Sequence, residues 1–541
     1  MKDISSTGSF VDFTLENFIY VDKTVYIPQL VKLKRVFISR PRRFGKSLTL
    51  DTIATLFETG EEPYSKGTWI YDKWTEPTYP VLRLNFLNFD KNSIEKFNNK
   101  LNSKITEFAE LNQVTTYKEK EEAEDSIDHL LEQLRLEGRQ IVILIDEYDC
   151  QMTANINNES LYKQFQEKIK SFYANLKDKF AIKFLGITGV TRLKDVSIFS
   201  VGSDIRDITN SSAYSQMIGF TRDEIKKFYI DYLKLAASYE NNCNVDEVTD
   251  TQIESMLDRL AKNYDGYCFD EDYEKKVFCT WSVNTFLQSV VDKKKVQFGE
   301  YWYDNGGLPS ILVNYLKTHE LNIFEYLDKD KFLKVSSDDF KNPTALTTIN
   351  QNVLMCQTGY LTLRSDLNKT STVALGIPNG EIYKALNRLL ANNIFKGNTD
   401  ITDDYGRSLL EVGTVDDIIN LFNSALNSVS YDNYPIVSES SVQNMLKLYL
   451  LGAHQEVLSE VHEAKGRADL IVNTDNRRIV FEFKYAKNET ETKAKLSEAV
   501  EQIKTRDYGN ILPKKNELIR IAAVFNADPK VRAFTENQIV P

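Results

Sequence analysis

Over roughly the first 225 residues, short apolar runs alternate with longer stretches in which apolar residues recur every three or four positions. That alternation is the pattern of a parallel sheet flanked by helices. The runs predict strands at Arg35–Ser39, Val81–Phe86, Ile141–Asp146, Lys183–Thr188 and about Ala213–Gly219. In IVILID, 141–146, the apolar residues are consecutive, as expected for a strand covered on both faces. TRDE at Thr221–Glu224 has the order of a capping box and predicts the helix that closes this region. A first domain of 1–225 is therefore expected. A mainly helical lid or connecting region with a winged-helix-like unit should follow over 226–430, irregular at Asn305–Pro309 and Asn342–Thr348. Mixed patterning returns in 431–541, with strands at Ala468–Asn473, Ile479–Tyr485 and near Ile519–Phe525, and a helix over about Thr492–Arg506. Lys118–Asp128 is charge-rich and reads as a solvated helix face.

Composition sharpens this picture in three ways. A chain of 541 residues with 42% hydrophobic and 11% aromatic residues can fill several cores, three or four at about 150 residues each. There is no run of eighteen apolar residues, and MKDISSTGSF lacks a basic-then-apolar signal pattern, so a soluble, cytoplasmic protein without a membrane partner is expected. The five cysteines, 150, 243, 268, 279 and 356, form no CxxC pair and read as reduced thiols. Net charge is −11, which argues against a surface that coats nucleic acid generally. Residues 451–541, however, carry 15 Lys and Arg against 14 Asp and Glu, so the tail has room for a local basic groove. His129, His319, His454 and His462 form no ligand-spaced set.

The strand RVFIS leads into RPRRFGKS at 40–47 and then into the apolar-periodic SLTLDTIATLFE. A strand, a loop and a helix in that order hold phosphate oxygens on backbone N–H groups and on the helix N-terminus. Arg42, Arg43, Phe44, Gly45, Lys46 and Ser47 are the candidate ATP-binding set, with Lys46 for the β and γ phosphates and Ser47 as a Mg2+ ligand. The full pattern asks for glycine six residues before Lys46, where Arg40 stands. A hundred residues on, IVILIDEYD ends in adjacent acids. Asp146 is the candidate to hold the metal through water and Glu147 to orient or deprotonate the attacking water, while Asp149 reads as a helix cap. Thr188, ending KFLGIT, is placed to sense the γ phosphate; Arg192 and Arg206 either supply a positive charge or are solvated.

In the tail, Asp469 and Glu482 lie thirteen residues apart on successive strands joined by TDNRR, within reach of one Mg2+. Lys484 follows Glu482 by two and shares its strand face, while Phe483 points into the core. Two acids and a lysine on one face suit phosphodiester hydrolysis, with Asp469, Glu482 and Lys484 in the catalytic roles and the two carboxylates as metal ligands. Glu460 upstream is a further candidate ligand, and Gln502 on the following helix a candidate support.

YVDKT at 20–24, RPRRFGKSL at 40–48, LIDEYD at 144–149, TGVTR at 188–192, YDGYCF at 264–269 and TGYLT at 358–362 together resemble the bacterial AAA-ATPase-like family. Such proteins commonly carry a C-terminal PD-(D/E)XK nuclease-like domain, which GRADL, FEFK and EQIKTRDY resemble here. The resemblance implies an α/β fold class: a P-loop NTPase parallel sheet with helices, a mainly helical middle, and a small C-terminal α/β PD-(D/E)XK nuclease-like domain. It also implies tolerance of arginine at the first loop glycine, and a part for Asp22, Lys23 and Thr24 in lining the base or closing the loop. The expected function is an ATPase whose nucleotide state gates a metal-dependent nuclease acting on nucleic acid, DNA foremost, in defence against foreign DNA. The rival is a nucleotide-dependent switch whose tail only binds nucleic acid or a partner protein. Monomer, dimer and ring all remain open.

Overall fold

The computed structural model describes the chain except residues 178, 194–203, 304–309, 317–318, 320–322, 344, 347, 370, 396–405, 454–455, 464–465 and 510–516. The side chains of several further residues, Glu460 and His462 among them, also lie outside the description. The predicted irregular stretch Asn305–Pro309 falls wholly among the residues not described. Two compact units result, Met1–Leu321 with Asp330–Ile382, and Asn322–Lys329 with Tyr383–Pro541.

The first unit is built on a five-stranded sheet in the order β2-β3-β4-β1-β5. Its strands are β1 (Arg35–Ser39), β2 (Val81–Asn85), β3 (Ile141–Asp146), β4 (Ile182–Gly189) and β5 (Arg206–Asp207). All four pairings are parallel. Every residue of β3 is buried, which explains its unbroken apolar run: helices cover both faces and leave no polar positions. The flanking helices show the complementary signature, Ile94–Leu111 burying Phe97, Leu101, Ile105 and Phe108 along one stripe.

The fifth strand is not where the pattern predicts it. Ala213–Gly219 folds as turns closed by short-range bonds such as Tyr214 N–H to Ser211 O (2.9 Å) and Met217 N–H to Tyr214 O (3.1 Å), and Gly219 sits at φ +104°. Tyr214, Met217 and Ile218 are buried without joining a ladder, and the two-residue β5 takes the sheet edge instead. The capping box is as predicted. Thr221 Oγ1 accepts from Glu224 N–H (3.2 Å), and the Glu224 carboxylate accepts from Thr221 N–H (2.8 Å) at the start of helix Arg222–Phe228. Lys118–Asp128 is helical only from Ala123, and Ala123, Ser126 and Ile127 face inward, so just part of it is a solvated helix face.

Beyond that point helices Ile230–Asn241, Asp250–Tyr264 and Thr280–Lys293 pack around Leu233, Leu257, Leu260, Val283 and Phe286. A small antiparallel sheet interrupts the helical text, with β6 (Leu333–Ser336), β7 (Thr362–Leu363) and β8 (Thr372–Gly376) in the order β6-β8-β7. Strands of two to five residues are too short to impose a readable period.

The second unit holds a mixed sheet in the order β13-β12-β11-β10-β9. The strands are β9 (Glu456–Glu463), β10 (Gly466–Asn473), β11 (Arg477–Ala486), β12 (Glu517–Asn526) and β13 (Ala533–Ile539). Helix Glu489–Arg506 crosses between the parallel pair β11 and β12 and covers one face through Ala499 and Ile503. On the other face the stacked Phe481 and Phe483 rings meet Phe422 and Phe534, so Phe483 points into the core as expected. No described helix is long and apolar enough to cross a membrane.

Candidate functional site

The β1–helix turn forms a phosphate loop because two of its residues accept left-handed backbone, Arg43 at φ +71° and Gly45 at φ +103°, just before helix Lys46–Thr59 begins. Lys46 is buried, and its ammonium donates to the carbonyls of Arg40 (3.1 Å) and Pro41 (3.3 Å) and faces Glu147 Oε1 at 3.5 Å. Ser47 Oγ donates to Asp146 Oδ2 at 2.6 Å, and Thr188 Oγ1 donates to Asp146 Oδ1 at 2.6 Å. Lys46, Ser47, Asp146, Glu147 and Thr188 therefore converge from β1, β3 and β4 as their order in sequence suggested. The parallel register makes this unavoidable, since all three strands end at the same sheet edge. Glu147 is held at φ +52°, and burial pushes its carboxyl up while Lys46 pulls it back. Ser47 and Asp146 are hard oxygen donors already in contact, a donor set that fits Mg2+.

The remaining loop residues do something other than expected from the loop alone. Arg40, in the place of the first glycine, is fully buried; its guanidinium donates to Ser39 O (2.8 Å) and Thr209 O (2.6 Å) and lies 4.1 Å above the Phe269 ring. It ties β1 to the 209–214 turns and offers nothing to a phosphate. Burial lowers it to about 9 despite Asp207. The Phe44 ring is buried against Tyr267 and Phe269 of YDGYCF, so Phe44 contributes backbone to the loop, while the Arg43 guanidinium stacks 4.1 Å over Trp281 at the loop's mouth. Arg42 O accepts from Trp302 Nε1 (3.2 Å). Gly359 of TGYLT, at φ +96°, passes so close to the loop that a Cβ would stand 2.9 Å from Pro41 Cβ. YDGYCF and TGYLT are thus the scaffold that sets the phosphate loop.

Asp149 starts helix Cys150–Ala154, yet its carboxylate caps no helix N–H. It accepts instead from Thr191 N–H and Oγ1 (both 2.6 Å) and Val190 N–H (3.3 Å), fixing the turn after Thr188. Arg192 is paired with Asp207, and its backbone is clamped by Gln357 (3.2 and 3.1 Å), whereas Arg206 lies on the edge strand. A cleft of about 440 Å³ opens beside the loop, lined by Arg42–Thr49 and Glu147 and, on its apolar side, by Tyr20, Val21, Met217 and Trp281. Lys23 reaches this cleft and pairs with Glu224 at 2.6 Å; Asp22 and Thr24 bond to each other (2.9 and 2.6 Å) and outside it.

In the second unit, β10 and β11 pair antiparallel with Leu470 opposite Phe481, so the next pair along the register is Asp469 and Glu482. Lys484 donates to Glu482 Oε1 at 2.9 Å and to Glu439 Oε1 at 3.2 Å. Asp469 Oδ2 accepts from Phe483 N–H at 2.8 Å. Glu482 is fully buried, its Oε2 has no hydrogen-bond partner among the described residues, and burial together with Asp469 pushes its carboxyl up to about 7 against the pull of Lys484. Burial works to lower Lys484, but Glu482 and Glu439 outweigh it and raise the ammonium. That orphaned oxygen is where a divalent cation fits, alongside Asp469. Among the described residues no group of three or more His, Cys, Asp or Glu is arranged to hold a metal.

Glu439 and Gln443, the latter donating to Asp469 O, come from helix Glu439–Gly452 and were not legible; an acid in a first helical turn is too common to stand out. Arg506 was likewise missed. It bonds Tyr508 Oη at 2.8 Å and is raised chiefly by that contact, with Glu482 and Asp469 adding to it. Gln502 also turns to Tyr508 Oη (3.4 Å). Glu460 sits on β9 across from Asp469, its side chain, like that of His462 and like residue His454, outside the described residues. His129 and His319 sit apart, accepting from Lys118 N–H and stacked on Tyr315. All five cysteines are unpaired.

A parallel sheet with a phosphate loop at its strand ends, followed by a small mixed sheet carrying two acids and a lysine, defines a P-loop ATPase-like protein with a nuclease-like carboxy-terminal unit. Residues 5–199 match the family model of predicted AAA-ATPases, and residues 437–535 match that of the PD-(D/E)XK nuclease superfamily. These two segments are an AAA-ATPase-like domain and a PD-(D/E)XK nuclease-like domain, as the motifs suggested. The chain is 25% identical over 530 residues to an uncharacterized protein in the vnfD 5' region of Azotobacter chroococcum mcd 1, a match spanning 95% of this chain and 94% of that one. Among solved structures, a Walker-type ATPase of Pyrococcus abyssi shares 11% identity at a TM-score of 0.34, covering 67% of this chain and 94% of that one. Cdc6p of Pyrobaculum aerophilum shares 10% at 0.22, covering 66% and 88%.

Proposed function

We propose that the first unit binds and hydrolyses ATP and that its nucleotide state gates a metal-dependent nuclease in the second, with DNA the foremost substrate. What carries this reading is that both sets of candidate groups occur in one chain and each is held together by hydrogen bonds.

In the first unit Lys46 leaves the carbonyls of Arg40 and Pro41 for the β and γ phosphates, exchanging weak neutral acceptors for charged ones. Glu147 turns from Lys46 to the attacking water and takes its proton as the bond between the γ phosphorus and the ADP oxygen breaks. Thr188 holds Asp146 in register with Ser47. Mg2+, when bound, neutralises the phosphate charge.

In the second unit Lys484 neutralises the phosphorane or orients water, and Arg506 supplies a second positive charge for the phosphodiester. A divalent metal supplies Lewis acidity and a nucleophilic water there. The test is cleavage of linear, supercoiled and single-stranded DNA and of RNA by the purified protein with Mg2+ or Mn2+, with and without ATP. Lys484→Ala should abolish cutting, and ATP should change its rate.

A second reading has its own support: no group of three or more His, Cys, Asp or Glu among the described residues is arranged to hold a metal, and Glu482 is already partly neutralised by Lys484. On it the tail binds nucleic acid or a partner protein without cutting, as a nucleotide-dependent switch. Tight, metal-independent binding with no cleavage of any substrate would decide for it.

A further inference from the structure

Phosphoryl transfer needs positive charge twice: on the triphosphate as it binds, and on the transferring group and leaving oxygen as charge builds there. Lys46 and a metal on Ser47 and Asp146 answer the first need. Four cationic side chains line the cleft beside the phosphate loop: Lys23, Arg42, Arg43 and Lys46. Lys23 is engaged by Glu224 and by Gln216 O (2.8 Å), Arg43 lies over Trp281, and Lys46 rests on loop carbonyls. Elsewhere at the strand ends, Arg40 is buried on carbonyls of its own unit and Arg192 is paired with Asp207. Arg42 is different. It is half-buried in the cleft wall, and its guanidinium makes neither an ion pair nor a hydrogen bond among the described residues.

The backbone on either side of that guanidinium is fixed. Trp302 Nε1 donates to Arg42 O (3.2 Å), while Thr280 Oγ1 (2.9 Å) and Trp281 N–H (3.4 Å) converge on Arg43 O. A charge presented from pinned backbone needs no reorganisation at the moment of reaction, which is what makes a preset cation effective. Arg42 also lies within electrostatic reach of the candidate base. Burial pushes the Glu147 carboxyl up, and Lys46 and then Arg42 are the cations that pull it back. Arg42 and Glu147 thus face the same space, the one a γ phosphate held by Lys46 would enter.

We propose that Arg42 is the catalytic cation of the first unit, supplied from within its own phosphate loop. As water attacks the γ phosphorus and Glu147 takes its proton, Arg42 donates N–H groups to the phosphoryl oxygens while the bond to the ADP oxygen breaks. The inference rests on the ATP-hydrolysis reading and adds that one chain carries the full complement of charge, so no neighbouring copy has to lend an arginine.

The test compares the full-length wild type with Arg42→Ala and Arg42→Lys. Phosphate release gives kcat, and a fluorescent non-hydrolysable ATP analogue with Mg2+ gives affinity; both are repeated with millimolar guanidinium ion and from dilute to concentrated protein. Circular dichroism checks the fold. Arg42→Ala should lower kcat by on the order of 10³-fold while analogue binding stays within a few fold, the mark of a contact made only in the transition state. Arg42→Lys should fall between the two, guanidinium should restore part of the kcat of Arg42→Ala and none to wild type, and wild-type turnover per chain should not change on dilution. A kcat unmoved by Arg42→Ala, or a loss that guanidinium does not relieve, overturns the role of Arg42 while leaving the ATPase standing. Turnover per chain that falls on dilution overturns the single-chain claim. A wild type that releases no phosphate overturns the ATP-hydrolysis reading and the role of Arg42 with it.

Discussion

The two candidate sites each set a lysine beside a carboxylate, but they differ in how the carboxylate is satisfied. Asp146 has a partner on each oxygen, Ser47 on one and Thr188 with the Glu147 N–H (3.0 Å) on the other, and Lys46 is parked on loop carbonyls. Glu482 is more deeply buried, has one oxygen on Lys484 and the other without a partner among the described residues. The first site carries its own stand-ins for a ligand and is stable empty; the second holds a polar deficit that only a proton or a cation relieves. A nucleotide site that must cycle benefits from the former, and a site meant to take up a metal tolerates the latter.

The largest effect should come from removing the lysine of the satisfied site. Lys46→Ala should lower ATP turnover by on the order of 10³-fold or more, read as phosphate release, and make any cleavage indifferent to ATP. Undiminished turnover would remove Lys46 from the phosphate role. Removing the other lysine separates the sites: Lys484→Ala should cut cleavage by roughly 10²- to 10³-fold while phosphate release is unchanged, and loss of both activities together would mean the variant is misfolded.

A third experiment strikes the scaffold. Arg40→Gly restores the usual loop glycine, yet it deletes two buried charge-assisted bonds and a ring contact, so urea unfolding should show a loss of about 2 to 4 kcal/mol. A neutral or stabilising result would contradict the tethering role assigned to Arg40.

The smallest effect tests the deficit itself. Glu482 is raised in the folded state from 4.5 to about 7, so its protonated form favours the fold. That contribution is complete below its ordinary value and is lost as pH rises through about 7. Glu482→Gln should therefore be more stable than the wild type at pH 8 by on the order of 2 kcal/mol, with the advantage vanishing near pH 4. Added Mn2+ should narrow the gap by stabilising the wild type alone; a pH-independent difference would show that Glu482 is already satisfied.

What was legible followed from periodicity and spacing. The consecutive apolar run of β3 and the GKS and DE motifs at strand ends located the candidate nucleotide site, since parallel strands deliver their carboxyl ends to one edge. Glu482 and Lys484 were legible because a strand's period of two places both on one face. What was missed was set by packing. Ala213–Gly219 looked like a strand because of its apolar Tyr214, Met217 and Ile218, but their burial is achieved in turns. Asp149 looked like a cap because acids start helices, but its carboxylate holds the Thr188–Arg192 turn.

By itself the sequence determined the chemistry on offer: which strands carry a phosphate loop, adjacent acids or an acid–lysine pair, because those depend on local order and on element periods. Only the tertiary structure decided which groups are spent and which are free. Arg40 and Phe44 became scaffold because Phe269 and Tyr267, more than two hundred residues on, fold against them. Glu439 entered the tail site because a helix terminus arrives beside Lys484, and Glu482 was left with an unmet oxygen because no other described group reaches it. Burial and partnership are properties of contacts between distant segments, and no local pattern encodes them.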